Sequence, residues 1–155
     1  MSNKIKIETT RFGEIEIDKK KIYLFPEGIP GFPDCKRYCI INNNKNELFK
    51  WLQSMDKPEI AFVLFDPFII DNTYDVFIND SDIKTLNIKK TEDVIITIIL
   101  TIPKSNPKEM TANMKAPIIF NIKNKKAKQL ILEKNNYPLE FPVWNAISEN
   151  IGTKG

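Results

Sequence analysis

Lys4-Ile5-Lys6-Ile7-Glu8, followed across Arg11-Phe12-Gly13 by Glu14-Ile15-Glu16-Ile17, sets the reading of the whole chain. Ile5 and Ile7 fall on one side of an extended backbone and the charges on the other, and Ile15 and Ile17 repeat the pattern. A period of two marks a half-buried strand. Two such runs around a glycine-containing break form a hairpin. Working outward, Lys21–Phe25 reads as a third strand and Arg37–Ile41 as a fourth. Leu48–Ser54 fits either a strand or a helical turn. Ile60–Phe65, Tyr74–Ile78 and Val94–Ile102 read as further strands. Pro117–Ile122 and Gln129–Leu132 read as a last hairpin across the lysine-rich stretch Lys123–Lys128.

The breaks are as informative as the runs. In Phe25-Pro26-Glu27-Gly28-Ile29-Pro30-Gly31-Phe32-Pro33, three prolines exclude regular structure. Pro30-Gly31 suits the two central positions of a type II turn. Phe25, Ile29 and Phe32 are apolar enough to pin this loop to a core, or to form a rigid binding rim. Asn42–Asn46 is polar and turn-like. A short helix is signalled near 80–88, with Asn79 or Asp80 as cap and Asp82 in the first turn. Trp144, Ile147 and Ile151 share a helical face in the tail, and Gly152–Gly155 reads as a frayed end.

Many short strands without βαβ alternation give the fold class. It is mostly β, a small antiparallel β-barrel-like single domain with one or two short helices. The barrel is expected over residues 1–141, and a C-terminal tail with a short helix over 142–155. The runs at 60–65 and 94–102 are apolar at consecutive positions, so both faces need cover. The helix near 80–88, the C-terminal segment or a partner must supply it.

Composition narrows the function. The 155 residues are 42% hydrophobic and carry a net charge of +3, from 23 basic and 20 acidic side chains. That balance permits an acidic partner without demanding one. No apolar run reaches the ~20 residues that span a bilayer. The N-terminus lacks a signal-type apolar stretch, which makes a cytoplasmic location the expectation. Histidine is absent, removing the commonest general base and metal ligand. Cys35 and Cys39 read as free thiols, too few for a zinc site. No catalytic, cofactor-binding or metal motif is present. Asp66, Asp71 and Asp75 are close in sequence and read as solvated loop carboxylates, with a hard-metal site as the alternative. Lys123–Lys128 reads as a solvated turn or as a basic patch. Within Tyr74–Ile78, Asp75 and Phe77 share a face. An aromatic beside a carboxylate is either an interface anchor or a side chain packed under the following helix.

The segments together resemble the bacterial flagellar assembly factor FliW family, over roughly Glu8 to Pro138. The resemblance rests on Phe25–Phe32, with its Gly-Ile-Pro-Gly-Phe core, then Leu52-Gln53-Ser54, Ile60–Val63 and Asp66-Pro67-Phe68. Tyr74, the short helix, Thr97–Thr101, Thr111-Ala112-Asn113-Met114, Lys115–Ile119 and Ala127–Leu132 follow in order. It implies a β-barrel-like, non-enzymatic protein without cofactor. It implies two partners, flagellin and the translational regulator CsrA, whose antagonism is allosteric and couples flagellin synthesis to export. Direct nucleic-acid and membrane binding are not implied, and a monomer is expected when the protein is free. Glu59, Phe68, Asp75 and Phe77 are the expected regulator-binding residues, with Asp66, Asp71 and Asp75 as a steering acidic edge. Phe141–Gly155 matches no family motif. The alternative function is an RNA-binding β-barrel protein using Lys123, Lys125, Lys126 and Lys128.

Overall fold

A computed structural model describes residues 3–42 and 47–151, without the side chains of Asn150 and Ile151. Of the polar turn expected at Asn42–Asn46 only Asn42 is described; residues 43–46, the packing of Ile151 and the frayed end at 152–155 lie outside the described residues.

β1 (Lys4–Thr9) and β2 (Gly13–Asp18) form the expected antiparallel hairpin, registered from Lys4↔Asp18 to Thr9↔Gly13. Its turn is closed by the Thr9 hydroxyl, which donates to Gly13 O at 2.9 Å and accepts from Phe12 N at 2.7 Å. The hairpin lies outside the main sheet. Its inward isoleucines, Ile7 and Ile17, are buried against Cys39. That dry setting pushes the Cys39 thiol up to about 11.

The main sheet closes on itself. β3 (Ile22–Leu24), β4 (Arg37–Asn42), β5 (Lys50–Ser54), β6 (Ala61–Phe65) and β7 (Val94–Thr101) follow one another antiparallel. β9 (Ile118–Asn121) pairs with β7 and with β10 (Lys126–Gln129), and β10 reaches β3. This last contact is parallel, through Lys126↔Leu24, and among the described residues it is the one departure from the expected antiparallel barrel. Leu24 N donates to Lys125 O there at 2.8 Å. β8 (Thr111–Ala112) and β11 (Phe141–Pro142) extend the sheet from the far end of β7.

The consecutive apolar runs have two covered faces. Phe62 and Leu64 of β6 join Tyr23, Phe25, Tyr38 and Phe120 in one cluster. Val63 and Phe65 join Ile98 and Leu100 in another, beneath Tyr74, Met114, Leu132 and Ile147. The C-terminal segment is thus a cover, one of the alternatives that the sequence left open. α2 (Asp80–Thr85), capped by Asn79 Oδ1 on Asp82 N at 2.8 Å, is followed by Leu86, buried with Ile119 and Leu130. α3 (Trp144–Ile151) docks through Ile147. The division expected after residue 141 falls between the two residues of β11.

The Pro-Gly turn forms as read. Gly31 has φ +94°, and Phe32 N donates to Ile29 O at 2.7 Å. Three expectations need correction. A third helix, α1 (Pro67–Ile70), follows β6, because Asp66 Oδ1 accepts from Phe68 N at 2.9 Å and proline suits a first helical position. Tyr74–Ile78 keeps the phase of a strand but pairs with none among the described residues. The last hairpin turns earlier than expected. Lys125, at φ +63°, ends the turn, so Lys126 and Lys128 already belong to β10. The chain stays extended beyond it, with Leu130 N and Leu132 N bonded to Pro117 O and Lys115 O, each at 2.8 Å.

Candidate partner-binding site

After β6 the chain leaves the sheet through two local acid-capped turns. Asp66 caps α1, and Asp71 accepts from the Thr73 hydroxyl at 2.6 Å and from Thr73 N at 2.9 Å. Those bonds hold the Asp71 carboxyl below its ordinary value. Among the described residues no group of three His, Cys, Asp or Glu is placed to hold a metal ion.

The next residues run extended across the covered face of the barrel. Tyr74 turns inward, and its hydroxyl donates to Met114 O at 2.6 Å. Its ring lies against Tyr137 at 4.7 Å and Phe68 at 5.9 Å between centroids. Burial, with Tyr137 adding, pushes the Tyr74 phenol well above its ordinary value, so it stays a neutral donor. Asp75 N donates to the Tyr137 hydroxyl at 2.9 Å. With Tyr74 fixed, the alternation sends Asp75 and Phe77 outward. Phe77 is 61% exposed, with Lys134 Nζ 4.7 Å from its ring centroid. It therefore does not pack beneath α2.

Phe77 forms one wall of an open groove of about 390 Å³, whose other wall is the extended chain Leu130–Lys134. Ile131, 56% exposed, adds apolar surface there. One end is polar. Lys128 Nζ lies 2.6 Å from Asp82 Oδ1 and 3.1 Å from Glu27 Oε2. The Asp82 bond foremost, against the cost of burial, holds the lysine above its ordinary pKa.

Phe68, Asp75 and Phe77 thus lie along one strip, joined through Tyr74 and the 130–137 segment. Glu59 does not join them. It is exposed on the turn between β5 and β6, while α1 starts at the other end of β6. A five-residue strand separates those ends by roughly 16 Å. Ile131, Lys134 and Tyr137 complete the strip and were missed in the sequence. Ile131 is out of phase with Leu130 and Leu132, a signal hidden within an apolar run. Nothing local marks Tyr137. The basic stretch is divided between two surfaces. Lys128 lines this groove, and Lys125 leans over the Tyr23 ring at the barrel mouth, 5.1 Å from its centroid. Among the described residues no helix is long and apolar enough to cross a membrane.

Comparison with known proteins gives a consistent result. The family model described as FliW protein matches residues 6–143. The flagellar assembly factor FliW of Syntrophus aciditrophicus (strain SB) is 40% identical over 139 residues, covering 90% of this chain and 87% of the relative. That of Thermoanaerobacter pseudethanolicus (strain ATCC 33223 / 39E) is 41% identical over 140 residues, covering 90% and 93%. A crystal structure of the flagellar assembly factor FliW superposes with a TM-score of 0.82 at 35% identity, covering 90% of this chain and 97% of that one. With matches that run from the β1–β2 hairpin to the start of the tail, and with the same barrel, this chain belongs to the FliW family of flagellar assembly factors.

Proposed function

We propose that this protein is a cytoplasmic, non-enzymatic binding switch that holds newly made flagellin and, when freed of it, binds the translational regulator CsrA. Binding of the regulator acts allosterically, away from its RNA surface, and so relieves repression of flagellin synthesis. The supporting observation is the Phe68–Asp75–Phe77 strip, an exposed aromatic beside a carboxylate on a backbone tied down by Tyr74 and Tyr137. Interfaces of this kind rely on a few aromatic anchors surrounded by a polar rim. Asp75 attracts a basic partner, and Phe77 supplies the area that is dried on contact. Glu59 lies too far along β6 to share that contact and belongs to the interface only with a partner large enough to span the strand.

Titration of purified CsrA into the protein tests the assignment. Asp75→Lys and Phe77→Ala should each weaken binding by more than about tenfold, or ~1.4 kcal/mol. Wild-type affinity in both variants would remove the strip from the regulator interface. A gel shift on flagellin leader RNA separates this reading from direct RNA binding. The switch predicts no shift by this protein alone.

A further inference from the structure

A second surface is defined by an interrupted strand edge. β6 ends at Phe65, opposite Ile98, and Asp66 then turns the chain into α1. β7 extends past that point through Val94–Thr97, where its far edge pairs with β9. Among the described residues, the edge facing β6 has no strand partner over Val94–Thr97. A strand points alternate N–H and C=O groups to each side, so backbone donors and acceptors open toward this gap.

The gap is the centre of a trough. One part, about 410 Å³, is flanked by Phe68 and Ile69 and carries Glu47 and Asp66. The other, about 380 Å³, is the barrel mouth, floored by Tyr23, Phe120 and Ile122. Lys50, Leu64, Ile95 and Thr97 line both, which makes them adjoining. Ile95 is 47% exposed within the trough, although it belongs to a barrel strand.

The trough has a charge gradient. Lys20, Lys21, Lys50 and Lys125 rim the mouth, and none is paired with a carboxylate among the described residues. Burial first, then the neighbouring Lys21 and Lys20, hold the Lys125 ammonium below its ordinary pKa, with Asp18 offsetting them in part. The acids Glu47 and Asp66 belong to the other end alone.

We propose that this trough is a docking site for an extended polypeptide segment of a partner protein. The segment adds as a strand to the free edge of β7, with apolar residues at alternate positions and acidic residues at the end lying over the lysines. Strand addition draws its affinity from backbone pairing and its selectivity from alternate side-chain sites. Here Ile95 and Phe68 receive the apolar positions and the lysine rim fixes the direction. The site shares no lining residue with the groove beside Phe77 and meets the regulator strip only at Phe68, and its test needs neither flagellin nor CsrA.

The probe is a dye-labelled synthetic peptide, acetyl-Asp-Glu-Val-Thr-Ile-Thr-Val-Thr-amide, titrated with the full chain and followed by fluorescence anisotropy. Saturable binding is expected, at least about tenfold weaker when Lys replaces both acidic residues and weaker again in high salt. Two N-methylated peptides, each blocked along one edge, probe pairing on the unaltered protein. One should lose binding and the other keep it. The K21E/K125E double variant should weaken the parent peptide at least tenfold and favour the lysine-substituted one. Absence of saturable binding, equal affinity for the acidic and basic peptides, or equal affinity of the two N-methylated peptides would each overturn the proposal.

Discussion

The loop Phe25–Pro33 and the segment Tyr74–Ile78 are both irregular and both rich in aromatic residues, yet the barrel uses them in opposite ways. The first is folded inward. Phe25 and Ile29 are buried, and backbone bonds close successive turns: Gly28 N to Phe25 O at 2.9 Å, Phe32 N to Ile29 O at 2.7 Å and Cys35 N to Phe32 O at 3.2 Å. The second turns Tyr74 inward, with Val76 and Ile78 partly buried behind it, and displays Asp75 and Phe77. Among the described residues, Val76, Phe77 and Ile78 have no backbone–backbone bond. A segment whose polar groups are satisfied internally can be buried whole. One whose backbone is left unpaired must stay at the surface, where water or a partner completes it. Apolar content alone does not separate a structural loop from a binding one; the destination of its hydrogen bonds does.

Substitutions can break or sharpen that contrast. Phe25→Ala should have the largest effect, a loss of about 3–5 kcal/mol in urea unfolding. It empties a fully buried site where Phe25 meets Tyr38 at 4.9 Å and Phe120 at 6.0 Å between centroids. Gly28→Ala should cost at least about 2 kcal/mol. Gly28 sits at φ +69°, and an added Cβ would lie 2.9 Å from the Phe32 carbonyl oxygen and from Pro33 backbone atoms. A neutral outcome would mean that the loop is not held as tightly as its bonds indicate.

Tyr74→Phe should cost about 1–3 kcal/mol, because it leaves Met114 O without its buried donor. It also carries a pH signature. The Tyr74 phenol is raised above 10.0 on folding, so its contribution is complete below pH 10.0 and is lost as pH rises through the folded value. The wild-type protein should therefore lose stability above pH 10.0 more steeply than Tyr74→Phe. Parallel curves would mean that the tyrosine is not the anchor.

Phe77→Ala should have the smallest effect on stability, within about 0.5 kcal/mol, while still weakening regulator binding. If its unfolding midpoint falls as far as that of Tyr74→Phe, then Phe77 is a packing residue and the two regions are not of different kinds.

Much of this was legible in the sequence. The alternation in Lys4–Glu8 and Glu14–Ile17 produced the hairpin because one face of each strand meets a core. Pro30-Gly31 produced its turn because those two residues have few other backbone choices. Asn79 capped α2 through an ordinary side-chain bond. The phase of Tyr74–Ile78 correctly separated buried from exposed side chains even though no strand forms there. Local chemistry also had its failures. Asp66-Pro67 looked like the end of a strand, and it also starts a helical turn. The lysine stretch looked like one turn, but β10 begins inside it, since only the register with β9 decides where a strand resumes.

The sequence by itself determined the strand periods, the turns at Arg11–Gly13 and Pro30-Gly31, the two-sided apolar runs and the family, since each depends on neighbours along the chain or on ordered motifs. Tertiary structure alone decided that β10 closes the barrel on β3, and that Glu59 and Phe68 lie at opposite ends of a strand. It alone brought Tyr137 and Lys134 beside Tyr74 and Phe77, and left the start of β7 with an open edge. Those are relations between residues remote in sequence, set by strand register and by how the chain leaves the sheet, which no local pattern encodes.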